Sequence, residues 1–328
     1  MTSALLRSLT LGVIASVVAV SATTSATAPA AAQAHQFVVG YSQSNNAEPY
    51  RAQLNIQLQE FMKKYPDLKL LPITDAKQDN SLQVSQVQSF IAQHVDVLIV
   101  SPTEPAPLTA PVEQACAKHI PVIIMDRTVN TNCYTSFIGG DNVKIGQLAG
   151  EAAAKMLPNG GNVVELRGLT SNAAQQDRDK GFRAGIASNP KIKIIADRDC
   201  KWLKEPATVA MQQWLAQYPK IDLVYGQNDP MALGAYLAAS GAGRAKAMKF
   251  IGIDGLAIPD GGIRAVQLGE LAATFIYPTG AKSAADYAEN IVHHRPVEHH
   301  LTLDTTEVTP ANAAALYKQY DFSKIASH

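Results

Sequence analysis

Short apolar runs recur at near-regular intervals from residue 37 onward: Phe37–Tyr41, Leu68–Ile73, Val95–Val100, Val122–Met125 and Thr135–Ile138, starting 31, 27, 27 and 13 residues apart. They are too short for helices and rich in Val, Ile and Phe, which predicts buried strands. Between the first four lie stretches of helical period. In 50–65, Leu54, Leu58, Phe61 and Met62 fall at spacings of four, three and one. Residues 81–93 place Leu82, Val84, Val87, Phe90 and Ile91 similarly. Buried strands alternating with amphipathic helices predict parallel βαβ units with right-handed crossovers.

The second half repeats the plan. Strands are expected from Asn162, Ile192, Ile221, Met248 and Ala272, spaced 30, 29, 27 and 24 residues apart. Helices are expected over 173–187, 205–217, 230–240 and 260–267. Asp229-Pro230 reads as a helix start, with an acid at the cap and proline in the first turn. Asn189-Pro190 and Tyr218-Pro219 each close a helix. One more helix (279–292), a His/Pro-rich turn, a strand over 302–308 and a short helix from Ala311 end the chain. The fold class is therefore α/β, with two Rossmann-like lobes built on parallel sheets. The segments after the second lobe imply that the chain crosses back, giving a three-segment hinge near 139–141, 275–278 and 299–301. The expected N-terminal lobe is 37–139 plus 277–299, and the C-terminal lobe is 140–276 plus 300–328.

Residues 1–34 differ from all this. Arg7 is their only charged side chain, Leu9–Val20 is apolar, and a small-residue stretch ends in Ala32-Gln33-Ala34. That order is the order of a secretory signal peptide. The apolar run of twelve is short of the roughly 20 residues a spanning helix needs. Cleavage is expected after Ala34, with an exported, soluble mature chain.

Over all 328 residues, 47% are apolar and 17% charged, as in a folded protein, and Lys plus Arg (28) equals Asp plus Glu (28). No bulk charge draws the chain to nucleic acid or an anionic membrane. Three cysteines are too few for a disulfide framework. Cys116 reads as a small apolar residue inside a helix, while Cys133 and Cys200 are a candidate disulfide pair.

In open parallel sheets, ligands sit beyond the carboxyl ends of the strands. There the sequence turns polar: Ser42 to Asn46 with Tyr50 and Arg51, Ser101 to Glu104, Asp126-Arg127, Arg167, Asp177-Arg178, Gln227 to Asp229, and Asp254-Gly255. Capping of the next helix accounts as well for Ser42 or Asp229 taken singly. Arg, Asp and Asn facing one another suit a polyhydroxylated ligand, because Arg donates in a fork, Asp accepts and Asn does both. Tyr50 offers either a face for a sugar ring or packing in the first helix turn. His293, His294, His299 and His300 crowd into one segment with Arg295 among them, which reads as a solvated loop without a metal role. No GxSxG, P-loop or HExxH motif occurs. No catalytic residue and no cofactor are expected.

Taken together, VGYSQSNNAEPYR (39–51), VQSFIAQHVDVLIVSP (87–102), IPVIIMDRTV (120–129), NVVELRG (162–168), QDRDKGF (176–182), VYGQNDPMALGA (224–235) and IGIDG (251–255) resemble the ribose/galactose-type periplasmic sugar-binding proteins of ABC transporters. The likeness spans about residues 37–322 and is greatest to the galactofuranose-binding branch, which carries Trp where this chain has Tyr50. The resemblance implies a type I periplasmic binding protein fold closing on one sugar. Its ligand residues would be Arg51, Asp126, Arg127, Arg178, Asn228 and Asp254, the strand-end residues already picked out. It implies a monosaccharide or polyol ligand, ABC permease subunits as partners, a monomeric state, and no nucleic acid. A membrane receptor is the alternative partner, with the module acting as a sugar sensor.

Overall fold

The computed structural model describes residues 36–322, so the expected leader over 1–34 lies outside the described residues. The strands, in chain order, are β1 (Phe37–Gln43), β2 (Leu68–Leu70), β3 (Thr74–Asp75), β4 (Val97–Ser101), β5 (Val122–Met125), β6 (Ser136–Gly140), β7 (Gly161–Arg167), β8 (Ile192–Asp199), β9 (Leu223–Gly226), β10 (Lys249–Ile251), β11 (Thr274–Phe275), β12 (His300–Leu303) and β13 (Glu307–Val308). The helices are α1 (Pro49–Met62), α2 (Asn80–Ala92), α3 (Pro105–Ala117), α4 (Asn142–Met156), α5 (Ala173–Ile186), α6 (Lys204–Gln217), α7 (Asp229–Gly241), α8 (Gly262–Leu268), α9 (Ala281–Val292) and α10 (Ala313–Tyr320).

Two parallel sheets result. One has the order β12-β6-β5-β4-β1-β2, with β3 also paired to β1, and the other β10-β9-β7-β8. Strand period explains the layering, since successive side chains face opposite sides. Val97 and Ile99 face a core shared with α1 and α9, whereas Leu98 and Val100 face one shared with α2 and α3. In the second sheet Val163, Leu223 and Tyr225 pack towards α4 and α5, and Val164, Leu166 and Val224 towards α6 and α7. Both sheets are thus covered on both faces, which is why inner strands such as β5 are unbroken apolar runs.

One segment differs from the sequence expectation. Residues 300 onward were placed with the second lobe, yet β12 pairs in parallel with β6, His300 opposite Phe137 and Leu303 opposite Gly140. The free edge of β6 accepts it. The chain turns away only after Leu303, and β13 then pairs antiparallel with β11.

The cysteine pairing also differs. Cys116 is joined to Cys133, with Cα atoms 6.1 Å apart, and Cys200 is a buried free thiol. The loop after β5 folds back over the end of α3, bringing Cys133 beside Cys116, while Cys200 belongs to the other sheet. Burial raises the Cys200 thiol to about 12.

Helices α4 and α5 meet backbone to backbone. A Cβ at Gly146 would stand 2.3 Å from the Arg178 carbonyl oxygen, one at Gly150 2.4 Å from that of Phe182, and one at Gly181 2.1 Å from that of Val143. This contact brings Asn142, at the start of α4, beside Arg178 on α5.

Candidate functional site

All seven residues singled out from the sequence line one narrow cavity between the carboxyl ends of the two sheets, together with Glu48, Ala174, Trp202 and Tyr277. A larger, more apolar recess of about 250 Å³ adjoins it and shares the Asp254 and Tyr277 walls. The smaller cavity gathers arginine and aspartate side chains from the ends of both sheets.

Arg51 lies in the first turn of α1, just after Pro49 starts the helix, so its side chain reaches back across the ends of β1, β4 and β5. It is 1% exposed and tied on every side. Nε donates to Glu48 Oε1 (3.1 Å), Nη1 to Gln43 Oε1 (3.0 Å) and Ser101 Oγ (2.8 Å), and Nη2 to Asp126 Oδ2 (2.7 Å). Burial alone would favour loss of its proton, but Glu48 and Asp126 outweigh this and hold the guanidinium charged. The sequence reading made Arg51 a ligand donor. Its bonding is that of a strut between two carboxylates.

Arg127 is held loosely. Nη1 donates to the Thr103 carbonyl at 3.3 Å and Nη2 to Glu48 Oε1 at 3.4 Å, both long for a guanidinium. Burial, then repulsion from Arg51, brings its pKa down to about 10. Asp126 precedes it at φ +67°, in a left-handed turn, and its Oδ2 lies 3.7 Å from Arg127 Nε. Burial alone would raise the Asp126 carboxyl, but Arg51, Arg127 and Arg178 prevail and keep it below the usual range.

From the second sheet, Arg178 donates through Nε to Asn142 Oδ1 (2.9 Å) and through Nη1 to the Gln227 carbonyl. Its guanidinium lies 4.8 Å from the Tyr277 ring centre and 5.3 Å from that of Trp202. Asn228 caps α7 by accepting from Met231 N–H (3.0 Å) and donates to the Trp202 carbonyl (2.9 Å). For Asn228, capping and lining of the cavity coexist. Asp254 lies three residues beyond the end of β10, in an isolated bridge to Ile276, with φ +131°. Its carboxylate is buried and accepts no hydrogen bond from any described residue. Burial, followed by repulsion from Asp229, drives its pKa well up against the pull of Arg178. Asp229 itself is structural: Oδ1 accepts from Thr274 Oγ1 (2.6 Å) and Oδ2 from Gly255 N–H (2.8 Å), fixing the loop that carries Asp254. The Tyr50 hydroxyl donates to the Pro278 carbonyl (3.2 Å), and its ring centre is 5.5 Å from that of Tyr277.

Of the four wall residues that the sequence does not single out, Ala174 is a small apolar filler and three carry polar or aromatic groups. Glu48 reads as a helix cap before Pro49, yet it is 6% exposed and accepts from Asn45, Arg51 and Arg127. Trp202, one of two tryptophans, follows β8 in a left-handed turn and lies under Arg127 and Arg178. Tyr277 closes the hinge side, its hydroxyl accepting from Gly140 N–H (3.2 Å). Arg167, noted as a strand end, lies elsewhere, paired with Asp179 and Asp197 (both 3.2 Å).

A cavity lined by opposed Arg and Asp side chains, held between two doubly wound parallel sheets, defines a type I periplasmic binding protein. The chain belongs to the periplasmic binding protein domain family, whose model matches residues 39–292. It is similar to the ribose import binding protein RbsB of Bacillus subtilis (strain 168), 30% identical over 265 residues covering 80% of this chain and 84% of that one. It is also similar to the galactofuranose-binding protein YtfQ of Escherichia coli (strain K12), at 32% over 234 residues covering 69% and 71%. Among solved structures, the fructose-binding periplasmic domain of a hybrid two-component system superposes with a TM-score of 0.85 at 37% identity, over 89% of this chain and 98% of that one.

Proposed function

We propose that this chain is a periplasmic substrate-binding protein that captures one monosaccharide or polyol between its lobes and delivers it to the permease subunits of an ABC importer. The observation that carries this reading is the buried Asp254 carboxylate, an acceptor with no hydrogen-bond partner among the described residues, across the cavity from the loosely bonded Arg127. A ligand hydroxyl donating to Asp254 while its neighbour accepts from Arg127 completes both groups. Such a ligand contacts both lobes, so it favours the closed form through its differential affinity. Arg178, Asp126 and Asn228 add polar contacts, and Tyr50, Trp202 and Tyr277 supply apolar faces. Arg51 acts by holding Asp126 and Glu48 in place.

The lobes meet at three crossings, near residue 140, near 276–278 and just after Leu303. The leader over 1–34 is removed on export, the mature chain acts as a monomer, and bound sugar is released unchanged. A thermal-shift screen over pentoses, hexoses, furanoses and polyols, followed by calorimetric titration, identifies the ligand. A screen with no hit, or steady conversion of the hit by substoichiometric protein, would sink the reading.

The likeness to the periplasmic domain of a hybrid two-component system favours a second reading, a sensory module presenting its closed form to a membrane receptor. Uptake of the labelled ligand by a deletion strain separates the two. Lost uptake supports delivery, and intact uptake with a lost transcriptional response supports sensing.

A further inference from the structure

The His-rich segment has no part in the cavity, and His293 within it is exposed, as expected of a solvated segment, but is also paired. It follows the last turn of α9 and points at the loop ahead of β2. His293 Nε2 lies 2.7 Å from Asp67 Oδ2 and 3.4 Å from Glu289 Oε1. One donor atom from each of these residues lies within 4.8 Å of the other two. Glu289 and His293 are four apart at one helix end, so they share a face, and Asp67 comes from a separate element.

We propose that Asp67, Glu289 and His293 form a zinc-binding site that pins the end of α9 to the edge of the first sheet. An imidazole nitrogen with two carboxylates is a borderline donor set suited to zinc. Bonds of about 2.0–2.2 Å in tetrahedral geometry put neighbouring donors about 3.3 Å apart, between the two separations seen here. Only three donors converge, which leaves one position for water. Glu289 Oε2 is buried and has no hydrogen-bond partner among the described residues, although Arg295 Nη2 donates to Oε1 at 2.9 Å. That free oxygen is a second, independent sign that the corner lacks a cation. The negative end of the α9 dipole favours a cation at the same point. The Phe37 ring stands edge-on to His293, centroids 5.5 Å apart, and fixes the plane of the imidazole.

The test is equilibrium dialysis of the untagged full chain against micromolar zinc, with metal counted per chain and melting measured with and without it. One zinc per chain is expected. At a hundredfold excess over Kd, melting should rise by about 4 °C. His293→Ala and Asp67→Asn should each weaken binding about tenfold or more. His294→Ala and the double change His299→Ala, His300→Ala should leave it intact. Asp67→Asn is nearly isosteric and half-exposed, so it reports on binding even if another variant folds poorly. Zinc that fails to bind, that survives His293→Ala, or that is lost equally with the other histidines overturns the site.

Discussion

Arg51 and Arg127 face the same cavity, yet they should fail in opposite ways when removed. Arg51 makes four hydrogen bonds, two of them to carboxylates that are themselves under a tenth exposed. Arg51→Met keeps the bulk of the side chain but leaves Glu48 and Asp126 facing each other without their shared cation. Breaking a buried pair from one side costs about 3–5 kcal/mol. For a chain of this size that is a fall of roughly 5–8 °C in melting temperature. Arg127 makes two hydrogen bonds of 3.3 and 3.4 Å and is disfavoured as a cation by burial and by Arg51. Arg127→Ala should therefore change unliganded stability by about 1 kcal/mol or less. It removes the donor left for the ligand, so affinity should drop by about 2–4 kcal/mol, or thirty- to a thousandfold. The assays are chemical denaturation without ligand and calorimetric titration with the sugar from the screen. Arg51→Met melting like wild type, or Arg127→Ala losing more stability than Arg51→Met, would refute the division into strut and ligand donor.

Three other changes test the surroundings. Asp254→Asn should bind at least about tenfold more weakly by calorimetry. Because the folded pKa of Asp254 is raised, ionising it opposes folding at neutral pH, so the unliganded variant should melt no lower than wild type. Glu165 on β7 is fully buried beside Arg167 and Arg183 (both 3.6 Å) and accepts from Gln227 Nε2 (2.9 Å); burial, then Asp179, raises it to about 8. A raised folded pKa gives stability that is complete below about 4.5 and lost as pH climbs through about 8, a slope that Glu165→Gln should flatten in denaturation midpoints taken from pH 5 to 9. Reducing Cys116–Cys133, which spans 17 residues, should cost about 3 kcal/mol, whereas Cys200→Ala should leave the non-reducing peptide map unchanged.

What the sequence discloses and what it conceals have physical reasons. Strands such as Val97–Ser101 and Val122–Met125 are buried on both faces and read as apolar blocks, so the polar residues after them mark the sheet edge without any knowledge of contacts. That is how Asp126, Arg127, Asn228 and Asp254 stood out. Residue type alone did not reveal which arginine was already bonded, because the partners of Arg51 come from three places along the chain. Trp202 follows no apolar block and enters the wall only because β8 lies beside β7. The partner of Cys133 depended on a loop doubling back over a helix, a path that no local pattern encodes.

The glycine-lined contact between α4 and α5 has a mechanical consequence. Two helices whose backbones touch cannot slide or splay without opening a gap that no side chain can fill. Asn142 and Arg178, one on each helix, must therefore travel as one piece, and the guanidinium keeps its bearing whichever way the hinge swings. Amide protons along the facing sides of these helices should be among the slowest in the molecule to exchange with deuterium. The hydrogen bonds from Arg178 to Asn142 and to the Gln227 carbonyl should already be in place before any sugar arrives.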